Sequence, residues 1–470
     1  MKTMFYISTR GQTKPMGFQD AVITGLAPDG GLLLPAEIPD VRDRLDDWAK
    51  LSYQDITFEI LRLFVDLPND DLRELIDRSY STFRHPEIAP AWPIGPVYIL
   101  ELFHGPTLAF KDIALQFLSN FFEYILTHRD THLNILGATS GDTGSAAIHG
   151  VRGRERMNIF IMHPKGRVAP LQEKQMTSVL DPNVFNLAIE GTFDDCQHIM
   201  KSIFNDLDFK TRYHLGAVNS VNWARVVVQI VYYFSAGLYV MHETDSKAVQ
   251  FAVPTGNFGD ILAGYYAYRM GLPISRLILA TNENDILARF FNTGKYSLGE
   301  VVSTISPSMD IQVASNFERY LYYQVGEDGE KLRALMKEFA STGSLSIPLN
   351  DRGRVDDVFM AGVGDTKSTL ATIKRYYSLY HYLLDPHTAV GVHVAERYLQ
   401  DRLSRSDKGG PMICLATAHP AKFSQAIRDA TGQDLAHHEV LDKLADAPTR
   451  CTVLPADEKA VKDFIIQHVC

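Results

Sequence analysis

At 470 residues the chain is longer than a single hydrophobic core usually extends, so we expect two or three packed lobes. With 46% hydrophobic and 22% charged residues, the composition is typical of a globular protein and excludes a disordered or fibrous one. The formal net charge of -10 disfavours nucleic acid as the main partner, because a polyanion is generally bound by a concentrated basic face.

The spacing of the cysteines and the length of the apolar runs bear on the cellular compartment of the protein. The cysteines at 196, 414, 451 and 470 form no CxxC or Cys/His cluster, so we expect neither a disulfide framework nor a metal site. The segment MKTMFYISTRG lacks the apolar stretch of a secretion signal. The most apolar run, 226–241, is interrupted by Gln229 and is shorter than the roughly 20 residues that span a bilayer. We expect a buried core helix there and a cytoplasmic protein without a membrane partner.

Four prolines between residues 86 and 96 mark a junction, because proline fits neither a helix interior nor a central strand. Residues 1–95 are therefore a candidate N-terminal domain. Beyond them, β-rich runs at 133–136, 158–162, 249–253 and 412–415 each lead through a turn towards a helical pattern. This alternation predicts an α/β fold with a mostly parallel sheet. Residues 303–385 carry no chemistry that can be read locally, and they could cap the sheet or lengthen one lobe.

Lys111 follows a Gly-Pro turn in HGPTLAFKDIALQFL, and apolar residues recur with helical period from Ile113 to Ile125. We therefore expect the lysine at or next to a helix N-terminus. There the helix dipole and a partly apolar setting disfavour the ammonium, which raises the share of neutral amine that can attack an aldehyde. Taken alone, the segment also fits a solvated lysine that flanks a buried helix.

Two glycine-rich turns, GATSGDTG at 137–144 and PTGNFGD at 254–260, each follow a predicted strand and open a predicted helix. Their backbone N–H groups, with the hydroxyls of Thr139, Ser140 and Thr143 in the first turn, favour a carboxylate or a phosphate. Neither turn is a GxGxxG or GxxxxGK[ST] motif. Each could also be a tight βα turn without a ligand.

A fourth segment, NSVNWAR at 219–225, gathers two amides, a hydroxyl and a guanidinium before an apolar helix. This set suits multidentate binding of an oxyanion. The alternative is that Asn222 is a simple helix N-cap.

The order of these segments resembles that of a known family. HGPTLAFKD, TSGDTG, HPKG followed by PLQEKQM, NSVNWAR, PTGNFGD, DPHTAVG and TAHPAKF occur in the order and approximate spacing of threonine synthases, in the longer subgroup found in bacteria and yeast. The resemblance extends from ISTRG to TAHPAKF, about nine-tenths of the chain. It implies a pyridoxal-5'-phosphate enzyme of fold type II, the fold of the tryptophan synthase β subunit. In this α/β fold, two lobes with mostly parallel sheets follow the N-terminal domain in the sequence. The large, cofactor-binding lobe would comprise 96–125 and 222–470, and the small lobe 126–221.

The resemblance also implies a role for each matched residue. Lys111 would carry the cofactor as a Schiff base, and Thr417 would contact its pyridine nitrogen. The loop that holds the cofactor phosphate would consist of Gly256, Asn257, Phe258, Gly259 and Asp260. The residues near the substrate carboxylate would be Thr139, Ser140, Asp142 and Thr143. Those that meet the substrate phosphate would be Ser220, Asn222 and Arg225. Many relatives of this fold have Asn in place of Asp142, and an ionised carboxylate cannot donate a hydrogen bond, so the role of Asp142 stays open.

The activity implied by the resemblance is conversion of O-phospho-L-homoserine and water into L-threonine and inorganic phosphate, the last step of threonine biosynthesis. The alternatives are another lyase of fold type II, such as a phospho-lyase or a serine/threonine dehydratase, and a non-catalytic binding protein. The intact Lys111 argues against the last of these. We expect a small-molecule substrate as the partner and a monomer or homodimer as the assembly.

Overall fold

The computed structural model describes residues 4–139, 141–404 and 409–469, and they form two compact units. The first unit comprises Met1–Arg73, Phe83–His104 and Ser220–Ala436. The second unit comprises Glu74–Thr82, Gly105–Asn219 and His437–Cys470.

Strands and helices alternate along most of the chain. The strands are β1 (Tyr6–Ser8), β2 (Leu33–Pro35), β3 (Ala91–Ile94), β4 (Val97–Glu101), β5 (Leu133–Ala138), β6 (Met157–Pro164), β7 (Val184–Glu190), β8 (Leu215–Gly216), β9 (Val249–Pro254), β10 (Ile274–Thr281), β11 (Lys295–Ser297), β12 (Ser344–Ser346), β13 (Phe359–Val363), β14 (Met412–Ala416) and β15 (Thr452–Pro455). The helices are α1 (Phe18–Thr24), α2 (Leu45–Trp48), α3 (Tyr53–Leu61), α4 (Asn69–Tyr80), α5 (Lys111–His128), α6 (Asp142–Val151), α7 (Pro170–Thr177), α8 (Phe193–Asn205), α9 (Leu207–Arg212), α10 (Trp223–Thr244), α11 (Gly259–Arg269), α12 (Ile286–Thr293), α13 (Phe317–Gln324), α14 (Gly329–Thr342), α15 (Thr366–Tyr380), α16 (Pro386–Ser404), α17 (Ser424–Thr431), α18 (Glu439–Asp442) and α19 (Glu458–His468).

The first unit is built on a six-stranded sheet with the order β13-β10-β9-β14-β4-β3. All neighbours pair in parallel except β3 and β4, which are antiparallel. The strands predicted at 249–253 and 412–415 are confirmed as β9 and β14, which lie side by side. Because the carboxyl ends of parallel strands meet at one edge of a sheet, the loops PTGNFGD and TAHPAKF leave the same edge. Part of the region 303–385 lengthens this sheet, since β13 is its outermost strand.

Helix α10 is the long apolar helix of the first unit, and it packs against α3 and α11. By length and composition alone it could cross a membrane, but 83% of its most apolar window is buried inside the protein. The prediction of a buried core helix over 226–241 is therefore confirmed. The observed helix is longer, because it begins at Trp223 and ends at Thr244.

The second unit is built on a five-stranded sheet with the order β15-β7-β6-β5-β8, in which every neighbouring pair is parallel. The strands predicted at 133–136 and 158–162 are confirmed as β5 and β6. One face of the sheet packs against α8 and α19 around buried residues such as Leu136, Phe160 and Ile199. Helices α5 and α6 pack against each other.

Contacts within the chain divide it differently from the predicted lobes. The N-terminal residues up to 73 group with the six-stranded sheet, whereas α5 groups with the five-stranded sheet. Residues 437–470 also belong to the second unit, because β15 pairs with β7 over more than 250 positions of sequence. A pairing of this range leaves no local pattern in the sequence.

Candidate active site

Lys111 is the first residue of α5, so the predicted helix start is observed, and α5 lies in the second unit. Its side chain is only 12% exposed, and its Nζ lies 3.6 Å from Oδ2 of Asp142. The turn before the helix is held by Asp112, whose two carboxylate oxygens accept the main-chain N–H and the hydroxyl of Thr107, both at 2.8 Å. A Cβ at Gly105 would overlap the side chain of Asp112, so the glycine of the Gly-Pro turn is needed for this packing. Lys111 therefore presents a largely buried amine from a fixed helix start.

Asp142 is the first residue of α6 and is buried. Its Oδ1 accepts a hydrogen bond of 3.0 Å from Nε2 of Gln172, and its Oδ2 faces Lys111. Both neighbours are hydrogen-bond donors, which suits an ionised carboxylate. The preceding Gly141 has a φ of 151°, and a Cβ there would overlap the amide of Gln172. Asp142 is thus a carboxylate neighbour of the lysine amine.

The turn TSGDTG is stabilised largely by its own first threonine. The buried Oγ1 of Thr139 accepts the N–H groups of Gly141 at 3.1 Å and Gly144 at 3.0 Å. The N–H groups of Gly141 and Gly144, which the sequence analysis assigned to an anion, therefore bond within the turn. Thr143 is partly exposed in the first turn of α6, where a ligand carboxylate can approach. The predicted residue Ser140 lies outside the described residues.

The loop PTGNFGD connects β9 to α11 in the first unit. Phe258 adopts a left-handed φ of 64°, and its ring is buried among aromatic side chains that include Phe317 and Phe359. A Cβ at Gly256 would lie 2.5 Å from the carbonyl oxygen of Ser308. Because that oxygen belongs to the main chain and cannot rotate away, only glycine fits at this position. The first N–H groups of α11 have no acceptor within the helix and suit a phosphate.

The carboxyl group of Asp260 binds tyrosines of α10 and is not available to a phosphate. Its Oδ1 accepts the hydroxyls of Tyr232 at 2.5 Å and Tyr233 at 3.0 Å, both from α10. Burial raises the pKa of Asp260 to about 6, although the two tyrosine hydrogen bonds oppose the shift. Any contact of Asp260 with a phosphate is therefore expected from its main-chain N–H, while its side chain fastens α11 to α10.

The segment NSVNWAR contains one residue that serves the fold. Asn222 is the N-cap of α10, since its Oδ1 accepts the N–H of Ala224 at 3.1 Å. Its Nδ2 donates to the carbonyl of Val22 at 2.8 Å, and the residue is fully buried. The N-cap alternative is thus the observed one. The hydroxyl of Ser220 is partly buried and lies 2.7 Å from the hydroxyl of Ser315.

Arg225 is a buried cation for which the described part of the chain offers no counter-ion. It is 5% exposed, and its Nε and Nη1 have no hydrogen-bond partner among the residues that the structure describes. Burial lowers the pKa of Arg225 to about 10, so the guanidinium stays charged near neutral pH. By contrast, the fully buried Arg319 donates to the carbonyls of Leu33 and Val221 and to Oδ1 of Asn316. Leaving a buried charge unpaired is costly, so the setting of Arg225 is that of a site built to receive an anion.

Arg225 also lies close to the glycine loop along α10. Gln229 is one turn further on and therefore on the same helix face. A Cβ at Gly259 would lie 3.8 Å from Oε1 of Gln229. The first unit thus places the guanidinium of Arg225 about one helical turn from the start of α11, so two anions can be bound near each other.

Thr417 follows β14 at the sheet edge from which the glycine loop also leaves, and it is 7% exposed. The adjacent strand β4 ends at Glu101, which is paired in register with Ala416. Burial opposes ionisation of Glu101, but hydrogen bonds from His104 and Tyr382 keep its pKa below the usual value.

The residues present fit pyridoxal 5'-phosphate. A largely buried primary amine suits its aldehyde, a helix N-terminus after a glycine loop suits its phosphate, and a buried hydroxyl suits its ring nitrogen. No group of three or more His, Cys, Asp or Glu residues in the described part of the chain could hold a metal ion. Gln172 is a site residue that the sequence pattern did not predict: it lies in the segment PLQEKQM and donates to Asp142.

Three family models match the chain in succession. They are described as threonine synthase N terminus over residues 5–80, pyridoxal-phosphate dependent enzyme over 82–348, and threonine synthase, C-terminal, over 388–465. Threonine synthase from Schizosaccharomyces pombe is 46% identical over 458 residues, which cover 90% of this chain and 88% of that protein. Threonine synthase from Pseudomonas aeruginosa is 44% identical, with 99% of this chain and 98% of that protein covered.

Solved structures agree with these relatives. The crystal structure of pyridoxal-phosphate-bound threonine synthase from Brucella melitensis superimposes with a TM-score of 0.93 at 44% identity, and it covers 99% of this chain and 100% of its own. The prediction of fold type II and of the pyridoxal phosphate cofactor is confirmed. The chain belongs to the threonine synthase family of pyridoxal-phosphate-dependent enzymes.

Proposed function

We propose that this chain converts O-phospho-L-homoserine and water into L-threonine and inorganic phosphate by β,γ-elimination and replacement. The observation that carries the proposal is the buried guanidinium of Arg225 beside a separate glycine loop, with Nε and Nη1 unpaired among the described residues. Both the cofactor and this substrate bear a phosphate, so the enzyme needs two anion sites. The loop Gly256–Asp260 serves the cofactor, which leaves Arg225 for the substrate.

Lys111 is the residue that attaches the cofactor and moves protons. When bound, pyridoxal phosphate supplies an electron sink for negative charge that develops on the substrate carbons. With cofactor and substrate bound, the amine of Lys111 would be the base that removes the proton from the substrate Cα. Oδ2 of Asp142, at 3.6 Å, then stabilises the ammonium that Lys111 becomes. Gln172 keeps that carboxylate in place through its 3.0 Å hydrogen bond.

Arg225 binds the substrate phosphate and supports its departure. Its two unpaired nitrogens are oriented by the buried helix, and a phosphate would supply the missing acceptors. Charge accumulates on the phosphate as the bond to Cγ breaks, so the same contact strengthens during the reaction. The hydroxyl of Ser220 is a second donor to this group, while Asn222 acts by capping the helix that carries Arg225.

The substrate carboxylate is assigned to the N-terminus of α6. Thr143 is partly exposed there, and Thr139 keeps the turn in shape through Gly141 and Gly144. Ser140 remains a predicted contact. Thr417 is assigned to the cofactor's ring nitrogen, where a neutral hydroxyl leaves the ring less firmly protonated than a carboxylate would.

The place and assembly of the enzyme are further parts of the proposal. We expect it to act in the cytoplasm as a monomer or homodimer. The long apolar helix α10 is used as core rather than offered to lipid, which supports only the expectation that the protein has no membrane partner. Light scattering coupled to size-exclusion chromatography measures the assembly, and a trimer or larger form would contradict the expectation.

Product analysis tests the activity. Purified protein with cofactor should release phosphate from O-phospho-L-homoserine and form one L-threonine per phosphate. A phospho-lyase would instead release phosphate with 2-oxobutanoate and ammonia, and a dehydratase would consume serine or threonine. Either outcome, or no phosphate release, would overturn the proposal in favour of the named alternative or of a binding protein.

A further inference from the structure

The segment DPHTAVG begins α16 in the first unit, and the proposed reaction leaves its side chains without a role. Asp385 caps the helix, since its Oδ1 accepts the N–H of His387 at 2.9 Å and its Oδ2 accepts the hydroxyl of Thr388. All three residues are at most 3% exposed. One capping carboxylate is enough to start a helix, so the buried histidine beside it calls for a second explanation.

The imidazole of His387 has a defined orientation. Its Nδ1 lies 2.9 Å from Oδ1 of Asp385, and its Nε2 lies 3.2 Å from the main-chain nitrogen of Ser308. A main-chain N–H can only donate, so Nε2 is the acceptor and the ring proton is on Nδ1, which faces the carboxylate. The ring also packs edge-on against Phe423 of TAHPAKF, with 5.0 Å between centroids. Both ring nitrogens are therefore engaged.

Ser308 connects this histidine to the glycine loop. It lies in the short 3₁₀ turn Pro307–Met309, and its carbonyl oxygen is the atom that a Cβ at Gly256 would approach to 2.5 Å. The main chain of Gly256 therefore rests directly on that of Ser308. A shift of Ser308 would move the loop or leave a gap beneath it.

The far end of the same segment is held by a polar cluster. Oδ1 of Asp310 accepts hydrogen bonds from Nδ2 of Asn282 at 2.7 Å and from Nδ2 of Asn284 at 3.1 Å. Its Oδ2 accepts the N–H of Thr304 at 2.9 Å. Ser308 lies between this cluster and His387, so its position is fixed from both sides.

Helix α16 supports the loop at a second point. A Cβ at Gly391 would lie 3.1 Å from Cγ of Pro254, the last residue of β9. The first turns of α16 thus meet both the start of the loop and, through His387 and Ser308, its first glycine.

We propose that His387 is a positioning residue for the cofactor-phosphate loop. By accepting the N–H of Ser308, it fixes the carbonyl on which Gly256 rests, and so sets the spacing of the N–H groups that receive the phosphate. The inference rests on the proposed role of Gly256–Asp260 as the cofactor-phosphate site. His387 acts through Ser308 rather than by contact with reacting atoms.

Two substitutions test the two ring nitrogens of His387 separately. His387→Asn keeps an amide donor near Asp385 but removes the acceptor for Ser308, whereas His387→Gln can place its Oε1 near the former Nε2. Apo-protein is titrated with pyridoxal phosphate, with protein fluorescence as the signal, and the phosphorus resonance of the bound cofactor is recorded. The Asn variant should bind the cofactor roughly 5- to 100-fold more weakly, because the partly buried N–H of Ser308 loses the acceptor that His387 provides. The Gln variant should recover most of the affinity and the wild-type phosphorus shift.

A matched control is His393→Asn, since His393 is a partly buried histidine six residues further along α16. It should leave cofactor affinity unchanged. The role of His387 is overturned if His387→Asn lowers the melting temperature but not cofactor affinity, if His393→Asn weakens binding equally, or if Gln is no better than Asn. Failure of the proposed function is distinguishable, because wild-type protein would then bind the cofactor without forming threonine.

Discussion

The guanidinium of Arg225 should destabilise the free protein and stabilise the substrate complex, so one substitution is expected to move the two quantities in opposite directions. Arg225→Met keeps most of the side-chain volume and removes the charge. The wild-type Nε and Nη1 are buried without partners in the described part of the chain. Each unsatisfied buried donor costs about 1 to 3 kcal/mol, so we expect the free energy of unfolding of the apo-protein to rise by about 1 to 3 kcal/mol once lost contacts are allowed for.

Substrate affinity should fall in the same variant. A charge-assisted hydrogen bond to phosphate contributes about 1.5 to 3 kcal/mol, which corresponds to roughly a 10- to 150-fold weaker binding of phosphohomoserine. Binding of unphosphorylated homoserine should change little, because it lacks the group that Arg225 contacts. Arg225→Lys should restore only part of the loss, since an ammonium cannot reproduce the planar fork.

The assay combines urea unfolding of the apo-protein with titration of the cofactor absorbance by phosphohomoserine and by homoserine. Arg319→Met is the matched control. Arg319 is fully buried and each of its guanidinium nitrogens donates a hydrogen bond, so its loss should lower the free energy of unfolding by at least about 2 kcal/mol. The reasoning is refuted if Arg225→Met destabilises the protein as this control does, or if it weakens both ligands equally.

Three further substitutions test the site. Lys111→Ala should lose turnover by several orders of magnitude while the fold survives, and borohydride should label wild-type protein on the Lys111 peptide; a label on another lysine would contradict the assignment. Gly256→Val should weaken cofactor binding strongly because its Cβ would meet the Ser308 carbonyl at 2.5 Å, whereas Gly259→Ala should do so less, since the nearest atom at 3.2 Å belongs to a side chain. Unchanged cofactor affinity in both would place the phosphate elsewhere. The pKa of Asp260 is about 6 in the folded protein, against 3.8 for an ordinary Asp in the unfolded chain. The protonated side chain therefore contributes its full stabilisation below pH 3.8, and this contribution is lost as the pH rises through 6. Wild-type stability relative to Asp260→Asn should therefore fall by up to about 3 kcal/mol between pH 3.5 and 7 in denaturant unfolding, and a constant difference would contradict the shift.

The sequence predicted those parts of the site that depend on local pattern. Lys111 was expected at a helix start because a Gly-Pro turn precedes an apolar period of 3.6, and it is the first residue of α5. The loop PTGNFGD was expected between a strand and a helix, and it connects β9 to α11. Each of these features is determined within about ten residues of chain.

The local sequence pattern did not predict which residues the site side chains contact. Asp260 looked like part of a phosphate loop, but its carboxyl group is bound by Tyr232 and Tyr233, which are 28 and 27 positions away. The glycine at 256 suggested close approach of a ligand, whereas the contact that demands it is with the main chain of Ser308. Such contacts depend on how α10, α11 and the 3₁₀ turn pack, and residue type alone does not show that.

The strand β15 gives the second unit an order of assembly. The five-stranded sheet is completed only when a segment beyond residue 450 pairs with β7, and α19 then covers its core. During synthesis, four strands of this sheet leave the ribosome more than 230 residues before the fifth, and β7 meanwhile presents an unpaired edge. The nascent second unit is therefore exposed to mispairing at β7, and removal of the final twenty residues should favour aggregation even though the residues of the candidate active site all precede them.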